Sequence, residues 1–500
     1  MKLVAGIDSS TQSCTVVLRD LATGATVATS SSPHPPTTPP VSEQHPESWW
    51  SALQEAFAGA RRIVETEVSA SYSIEGISVA AQAHGLVILD DRGDVIRPAK
   101  LWNDTTSAPE NAALRAQLDP QTWVETVGSV PPAAFTLGKL AWIARHEPAN
   151  FARIAQVMQP HDWLTMQLTG EAVTDPGSAS GTGYYSPSTG QWALEPLRLI
   201  DADIDWARRL PRLISADETA GQLSTAAGRA LDLPDGIPIG PGSADNQTAA
   251  LGLGLAEGDV VVSVGTSGVL YASTDVPVLD LTGQINGNAD ASGGWLPVWC
   301  TLNGAKVLDT FARLLAVDHA QLSELALQAP VSDPHRPVLA AYLDGERVPD
   351  RPQATGTLAG LDTSTSREQL ARAAYEGVLA GLVRGLEVFR DAGIPCHGRL
   401  AITGGGAKSP ACRQLLADLT GRAVHVVEQA EAPAAGAAVQ AAAIASGSDM
   451  RTMMHRWAPR WDAVAHPRPG TEASDLMARY QSVARWSGLE RTTKEIPCAQ

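Results

Sequence analysis

Cysteine, aromatic side chains and positive charge are all scarce in this chain. The five cysteines, Cys14, Cys300, Cys396, Cys412 and Cys498, are scattered, odd in number and without CxxC spacing. That pattern argues against a disulfide framework or a zinc site and makes inert free thiols the expectation. Phe, Trp and Tyr together make up 5% of the residues. Lysine and arginine number 37 against 54 aspartates and glutamates, a formal net charge of −17. Such a field disfavours nucleic acid and anionic membranes as partners. No apolar run is long enough to span a bilayer. The opening apolar stretch meets Asp8 at once, too soon for a signal peptide, so a cytoplasmic protein is expected. Two nucleotide signatures are missing as well: Gly404-Gly405-Gly406-Ala407 fits neither GxGxxG nor a P-loop with its lysine.

What is present is globular. The chain has 500 residues, 44% hydrophobic and 18% charged, which calls for two or more domains. Residues 3–8 and 14–18 are β-rich runs flanking a Ser/Thr/Gln turn, and 25–30 form a third strand. Residues 31–40 read as a Pro/Ser/Thr loop and 46–68 as a helix with Pro46 in its first turn. Strands are expected at 74–80 and 86–89, mainly helix from 107 to 170, and a polar glycine-rich loop over 177–190. After the Pro/Gly punctuation of 233–242 the opening pattern returns: strand 258–264, turn Gly265-Thr266-Ser267-Gly268, strand 269–272. Two such hairpins, one near the start of each half, predict a duplicated α/β domain. Later elements are a helix over 366–391, a strand over 399–403, a helix over 409–421 and an Ala-rich helix over 434–445. The final segment is expected to be helical and peripheral.

The most informative stretch is Gly242-Ser243-Ala244-Asp245-Asn246. A lone carboxylate among small residues lets a substrate approach the backbone and can accept a proton from an alcohol. The competing structural reading is a helix cap. The Gly/Thr/Ser turn some twenty residues on can hold a phosphate, so the pairing points to a kinase acting on a hydroxyl, with Asp245 as general base. Asp8 ends a strand and is followed by Ser9, Ser10, Thr11 and Gln12. A single carboxylate amid donors suits Mg²⁺-bound phosphates, and equally suits a plain turn. His84, in Gln82-Ala83-His84-Gly85, could donate to a sugar hydroxyl, although a lone histidine is more often structural. Trp102-Asn103-Asp104 reads first as a buried tryptophan with a turn, and second as an aromatic face with polar groups for a polyol. The triple glycine at 404–406 suits close approach of a nucleotide or a tight turn. Gly345-Glu346-Arg347 reads as a structural ion pair.

Taken in order, Gly6-Ile7-Asp8-Ser9-Ser10-Thr11, Gln82-Ala83-His84-Gly85, Arg97 to Asp104, Gly242 to Asn246, Ser263 to Gly268, Tyr342 to Arg347, Thr403 to Ser409 and Pro433 to Ala438 resemble the FGGY carbohydrate kinases of the actin-like ATPase superfamily. The resemblance spans roughly residues 3 to 445. It implies an α/β fold of two ribonuclease-H-like domains around a central cleft, with an N-terminal sugar-binding domain over 1–241 and a C-terminal ATP-binding domain over 242–500. The segments around His84 and Asn103 are most similar to members acting on D-xylulose. The implied reaction is ATP-dependent phosphorylation of the sugar's terminal hydroxyl, giving D-xylulose 5-phosphate and ADP.

By the same resemblance Asp245 is the base and Asp8 the Mg²⁺-associated carboxylate. Thr11 and Gln12, and Gly265 and Thr266, belong to phosphate hairpins. Gly404, Gly405, Gly406 and Lys408 fall where the family holds adenosine. Ala83, His84, Trp102, Asn103 and Asp104 fall at or near the sugar. Two positions depart from the family pattern. Ser10 stands where glycine is usual, which costs strain if the turn needs a positive φ and adds a donor if it does not. Ala83 stands where methionine is frequent, which enlarges the pocket. The expected ligands are a small sugar, ATP and Mg²⁺, without nucleic acid or membrane, and the assembly to test is a homodimer. Rival readings are a kinase of ribulose, glycerol, gluconate or another polyol, and a non-catalytic sugar or nucleotide sensor on the same fold.

Overall fold

In the computed structural model, which describes residues 1–68, 71–351, 353–428 and 431–486, the chain opens with three antiparallel strands, β1 (Lys2–Ser9), β2 (Ser13–Asp20) and β3 (Thr26–Pro33). On the other side of β1 lies β4 (Ser73–Ala81), parallel to it. Parallel neighbours need a crossover, and α1 (Pro46–Glu67) supplies it. His45 caps this helix by accepting the Glu47 N–H, and Pro46 takes the first turn. Trp49, Leu53, Phe57, Ala60 and Val64 recur every three or four residues and pack into the core with the strands. Each large side chain so buried contributes roughly 1.5–3 kcal/mol. Three short strands, β5 (Gly221–Gln222), β6 (Pro238–Ile239) and β7 (Ser243–Ala244), complete the sheet. Its order is β5-β6-β4-β1-β2-β3, with β7 also paired to β4.

Between β4 and β5 sits a mainly helical insertion with its own core around Trp123, Leu140 and Trp206. Two of its helices bear on the site: α2 (Pro160–Thr169) and the short α3 (Pro176–Ser180). The latter overlaps the start of the expected loop over 177–190. Asp175 makes it a helix by capping the N–H groups of Gly177 and Ser178. After β7 comes α4 (Asp245–Gly252).

The second sheet is built on β8 (Val260–Val264), flanked by antiparallel β9 (Gly268–Ala272) and parallel β11 (Leu400–Thr403). The Val298–Thr301 end of β10 (Trp295–Thr301) pairs with β9. β12 (Val424–Val427) and β13 (Trp461–Ala465) extend the other side. β13 corrects the expectation of a purely helical tail: residues past 460 add an edge strand, and Arg468 locks to the buried Asp418 carboxylate at 2.6 Å.

By packing, the chain divides into two units: 1–255, 273–297 and 429–459 in the first, and 256–272, 298–428 and 460 onward in the second. A boundary after residue 241 does not follow that packing. Much of the reason is α5 (Ala432–Ser446), an Ala-rich helix late in sequence that packs on β1, β4 and α4. It approaches β1 so closely that a Cβ on Gly6 would lie 1.9 Å from the Ala434 carbonyl oxygen. Cys14, Cys396 and Cys412 are buried free thiols, and Cys300 is free and partly buried. Burial pushes the Cys412 thiol up to about 12, as inert thiols require. Cys498 lies outside the described residues. No described helix is long and apolar enough to cross a membrane.

Candidate active site

Strand register assembles the central groups. Asp8 on β1 and Ser243 on β7 are both opposite Ala80 of β4, one from each side. Strands in a sheet lie about 4.8 Å apart. Three parallel strands therefore end together, carrying Asp8, Gln82 and Asp245 at or just beyond their carboxyl ends, where ligands gather in α/β sheets. Asp245 is the first residue of α4. The cap position itself is Ala244, which makes no side-chain capping bond. Asp245 Oδ1 accepts the Asn246 N–H at 2.8 Å. The helix-cap reading thus falls one residue short, and the carboxylate keeps some exposure.

Burial pushes Asp245 up to about 6, against the pull of backbone N–H groups. Asp8 is pushed further, to about 7: burial raises it, the Ser10 hydroxyl offsets part of that, and the charges of Asp245 and Glu431 add to it. Ser10 Oγ donates to Asp8 Oδ2 at 2.7 Å. Asp8 Oδ1 is buried with no hydrogen-bond partner. Ser10 is not among the described non-glycine residues with positive φ, which are His84, Asp232 and Ala316. The departure from glycine there adds a donor without strain. An orphaned carboxylate oxygen that feels the charge of a second carboxylate fits a hard cation that keeps its waters. Among the described residues no trio of His, Cys, Asp or Glu is arranged to hold a metal, and Mg²⁺ needs none.

Around these groups the loops are tied together. Thr11 Oγ1 lies 3.5 Å from Gln82 Oε1 and accepts Trp102 Nε1–H at 3.0 Å. Gln12 is exposed, and its carbonyl accepts the His34 N–H. Trp102 is 38% exposed rather than buried. That favours the aromatic-face reading of its motif. Asn103 Oδ1 is a buried oxygen without a partner. Asp104 behaves differently. It is 1% exposed, and it accepts the Ser42 N–H at 2.9 Å, the Thr106 N–H at 3.0 Å and Lys100 Nζ at 3.2 Å. Its carboxylate is spent on holding its own loop. His84 has φ 65°, a left-handed conformation that a non-glycine residue adopts rarely. Gln159 Oε1 accepts its N–H at 2.9 Å, its Nδ1 is 3.0 Å from the Gly181 carbonyl, and its ring packs 4.7 Å from that of Phe135. Ala83 is buried beside it. Sequence reasoning passes over Gln82, whose Nε2 is also buried without a partner, and Gln159. The signal for Gln82 was its place directly after a strand.

The second unit brings its own candidates together. The β8–β9 turn carries Gly265 and Thr266, and the Gly265 carbonyl accepts the Ala305 N–H at 2.7 Å. Ser263 on β8 is opposite Thr403 on β11, so Gly404, Gly405, Gly406 and Lys408 follow at the same end of the sheet. Gly404 has φ 73°, and a Cβ there would lie 2.8 Å from the Val264 carbonyl. Gly404, Gly405, Thr266 and Lys408 are exposed. In Gly345-Glu346-Arg347 the buried carboxylate accepts the N–H groups of Leu302 (2.6 Å) and Arg347 (2.7 Å) and the Asn303 amide (3.0 Å), bracing a loop.

Residues 3–252 match the N-terminal domain, and residues 260–445 the C-terminal domain, of the FGGY family of carbohydrate kinases. The chain belongs to that family. It is 40% identical to a xylulose kinase of Streptomyces rubiginosus over 91% of this chain and 90% of that one. A solved structure of a xylulose kinase from Bifidobacterium adolescentis matches it with a TM-score of 0.85 and 36% identity, covering 96% of this chain and 99% of that one. A gluconate kinase from Lactobacillus acidophilus matches with a TM-score of 0.87 at 22% identity, covering 96% and 97%. The last likeness shows the fold alone. Two mixed sheets in an FGGY kinase are the actin-like ATPase architecture that the family resemblance implied.

Proposed function

We propose that this FGGY kinase transfers the terminal phosphoryl group of ATP to the terminal hydroxyl of D-xylulose, giving D-xylulose 5-phosphate and ADP. The observation that carries the chemistry is that Asp245 and Asp8 stand at the ends of two parallel strands that flank β4, with the basicity of Asp245 raised by burial. The names of the relatives support the sugar. A carboxylate titrating near 6 is still ionised at neutral pH, yet is basic enough to take a hydroxyl proton as the phosphoryl group is transferred. Phosphoryl transfer has a loose transition state, so the remaining residues position groups and neutralise charge. His84, Trp102 and Asn103 are assigned to the sugar in the first unit, with Ala83 shaping the pocket. Asp104 holds their loop. Thr11 belongs to one phosphate turn, and Gly265 with Thr266 forms the other. Gly404, Gly405, Gly406 and Lys408 are assigned to the adenosine of ATP. Asp8 would hold Mg²⁺, which when bound neutralises phosphate charge. Ser10 keeps that carboxylate oriented.

The test is coupled ADP release with Mg-ATP against D-xylulose, D-ribulose, L-ribulose, D-ribose, glycerol and gluconate, ranked by kcat/KM. D-xylulose is expected to lead. A clear preference for another polyol would replace the substrate while keeping Asp245 as base. ATP turnover independent of every sugar would overturn the reading.

A further inference from the structure

The residues that recognise sugar and those that carry the base come from segments about 160 positions apart in sequence, yet both are fastened to the first turn of α2. This inference rests on the kinase reading above. On one side, Gln159 accepts the His84 N–H at 2.9 Å and donates through Nε2 to the Ser178 carbonyl at 2.5 Å. Its own N–H goes to Asp162 Oδ2 at 2.8 Å, so its place at the helix start is fixed. On the other side, His161 reaches the segment leading to Asp245. Its Nε2 is 3.0 Å from the Pro241 carbonyl, which can only accept, so Nε2 carries a proton. Its Nδ1 faces Ser178 Oγ at 3.1 Å and Asp162 Oδ1 at 2.9 Å. Gln159 and His161 are both 1% exposed.

The base segment has no slack against this frame. Gly242 has φ 69°, and a Cβ there would sit 2.5 Å from His161 Cδ2, so the backbone lies directly on the imidazole. Ser243 Oγ donates to Asp175 Oδ2 at 2.7 Å, and Asp175 also holds the Gly177 and Ser178 N–H groups of α3. Gly242 is held again by Ser78 Oγ and Gln440 Nε2, both at 3.2 Å. Asp245 follows two residues after Ser243. Buried polar networks with this many satisfied members fix one geometry.

We propose that Gln159 and His161 are positioning residues for the kinase reaction: Gln159 sets the left-handed His84 loop against the sugar, and His161 sets the Pro241–Asp245 segment that carries the base. Loss of a sugar contact made equally in ground and transition states raises KM, whereas misplacing the base lowers kcat. The test is steady-state kinetics of the full chain on whichever sugar the wild type phosphorylates best. Gln159→Met is expected to raise the sugar KM about tenfold with kcat within about twofold. His161→Met is expected to lower kcat about tenfold or more with the sugar KM within about twofold. His161→Gln, which restores an N–H toward Pro241, is expected to recover most of the lost kcat. Should a methionine variant fail to fold, Thr136→Val, which removes a 3.3 Å bond to the His84 carbonyl, and Ser243→Ala repeat the two arms with smaller shifts of the same kinds. Folded variants whose kcat and KM move together, or do not move at all, overturn the inference and leave the kinase reading standing. A wild type that phosphorylates no sugar ends both.

Discussion

The two units carry the same strand-turn-strand frame and put different side chains at its ends. In each, a strand (β1 or β8) has an antiparallel hairpin partner on one side and a parallel neighbour on the other. The penultimate residue of the first strand is Asp8 in one unit and Ser263 in the other, opposite Ala80 and Thr403 of the parallel neighbour. Past that neighbour, each chain enters a left-handed backbone, at His84 in the first unit and at Gly404 in the second. The first unit therefore places a carboxylate and an imidazole where the second places a hydroxyl and bare glycine. Buried charge can move protons and hold cations. Glycine gives backbone donors and room for a large, flat, anionic ligand. The same frame serves both units, and under the proposed reading a few side chains at strand ends divide the labour.

The strongest way to break this contrast is to remove the acid chemistry of the first unit. Asp245→Ala is expected to lower kcat about 100-fold or more, in the range of general-base contributions, measured by coupled ADP release. Near-normal turnover would take the base role from Asp245. The wild type also has a pH signature. Because burial holds Asp245 near 6, its basic form is lost as pH falls below that value, and kcat/KM for the sugar should drop about tenfold per pH unit there. An activity flat down to pH 5 would contradict that assignment.

Asp8→Ser rewrites the first hairpin in the image of the second. Turnover is expected to fall about tenfold, with more Mg²⁺ needed for half-maximal rate. A Mg²⁺ titration identical to wild type would show that Asp8 does not hold the metal. A smaller effect is expected from Gly404→Ala. An alanine at φ 73° and ψ −168°, a region open essentially to glycine alone, costs about 1–3 kcal/mol locally and meets the Val264 carbonyl. The KM for ATP should rise roughly fivefold, in proportion to part of that strain, with the sugar KM unchanged. A rise in the sugar KM instead would place the glycine turn on the wrong substrate.

What was legible in the sequence follows the same division. Asp8, Asp245 and the two turns stand out because polar or acidic residues interrupt runs of small and β-branched ones, and strand register then brings the two carboxylates together. α5 gave no such sign of where it packs. Ten of its residues, Ala434 through Ala443, are buried, so it shows no amphipathic stripe to point toward a partner, and it joins the first unit from late in the chain. β13 escaped notice because a five-residue edge strand, part-exposed on most positions, has little apolar alternation. Trp102 misleads in the opposite sense, since a tryptophan in a turn motif suggests burial while its indole stays out to reach Thr11. The Gln159–Asp162 capping box is hidden because glutamine stands where serine or threonine is usual. Its reach to His84 and Pro241 was hidden too, because those contacts depend on how far-separated loops pack.

Ser263 gives the finest test of whether the second hairpin is passive. It is partly buried at the position equivalent to Asp8, beside a turn in which Thr266 is exposed. If the second unit works through backbone and space, Ser263→Ala removes one weak donor and kcat/KM for ATP stays within about twofold. Ser263→Asp, by contrast, would place a carboxylate beside the turn proposed to hold phosphate, and is expected to repel the nucleotide and raise the KM for ATP. A loss on Ser263→Ala comparable to that of Asp8→Ser would mean that both hairpins act through the side chain at this position, and the division of labour drawn between the units would fall.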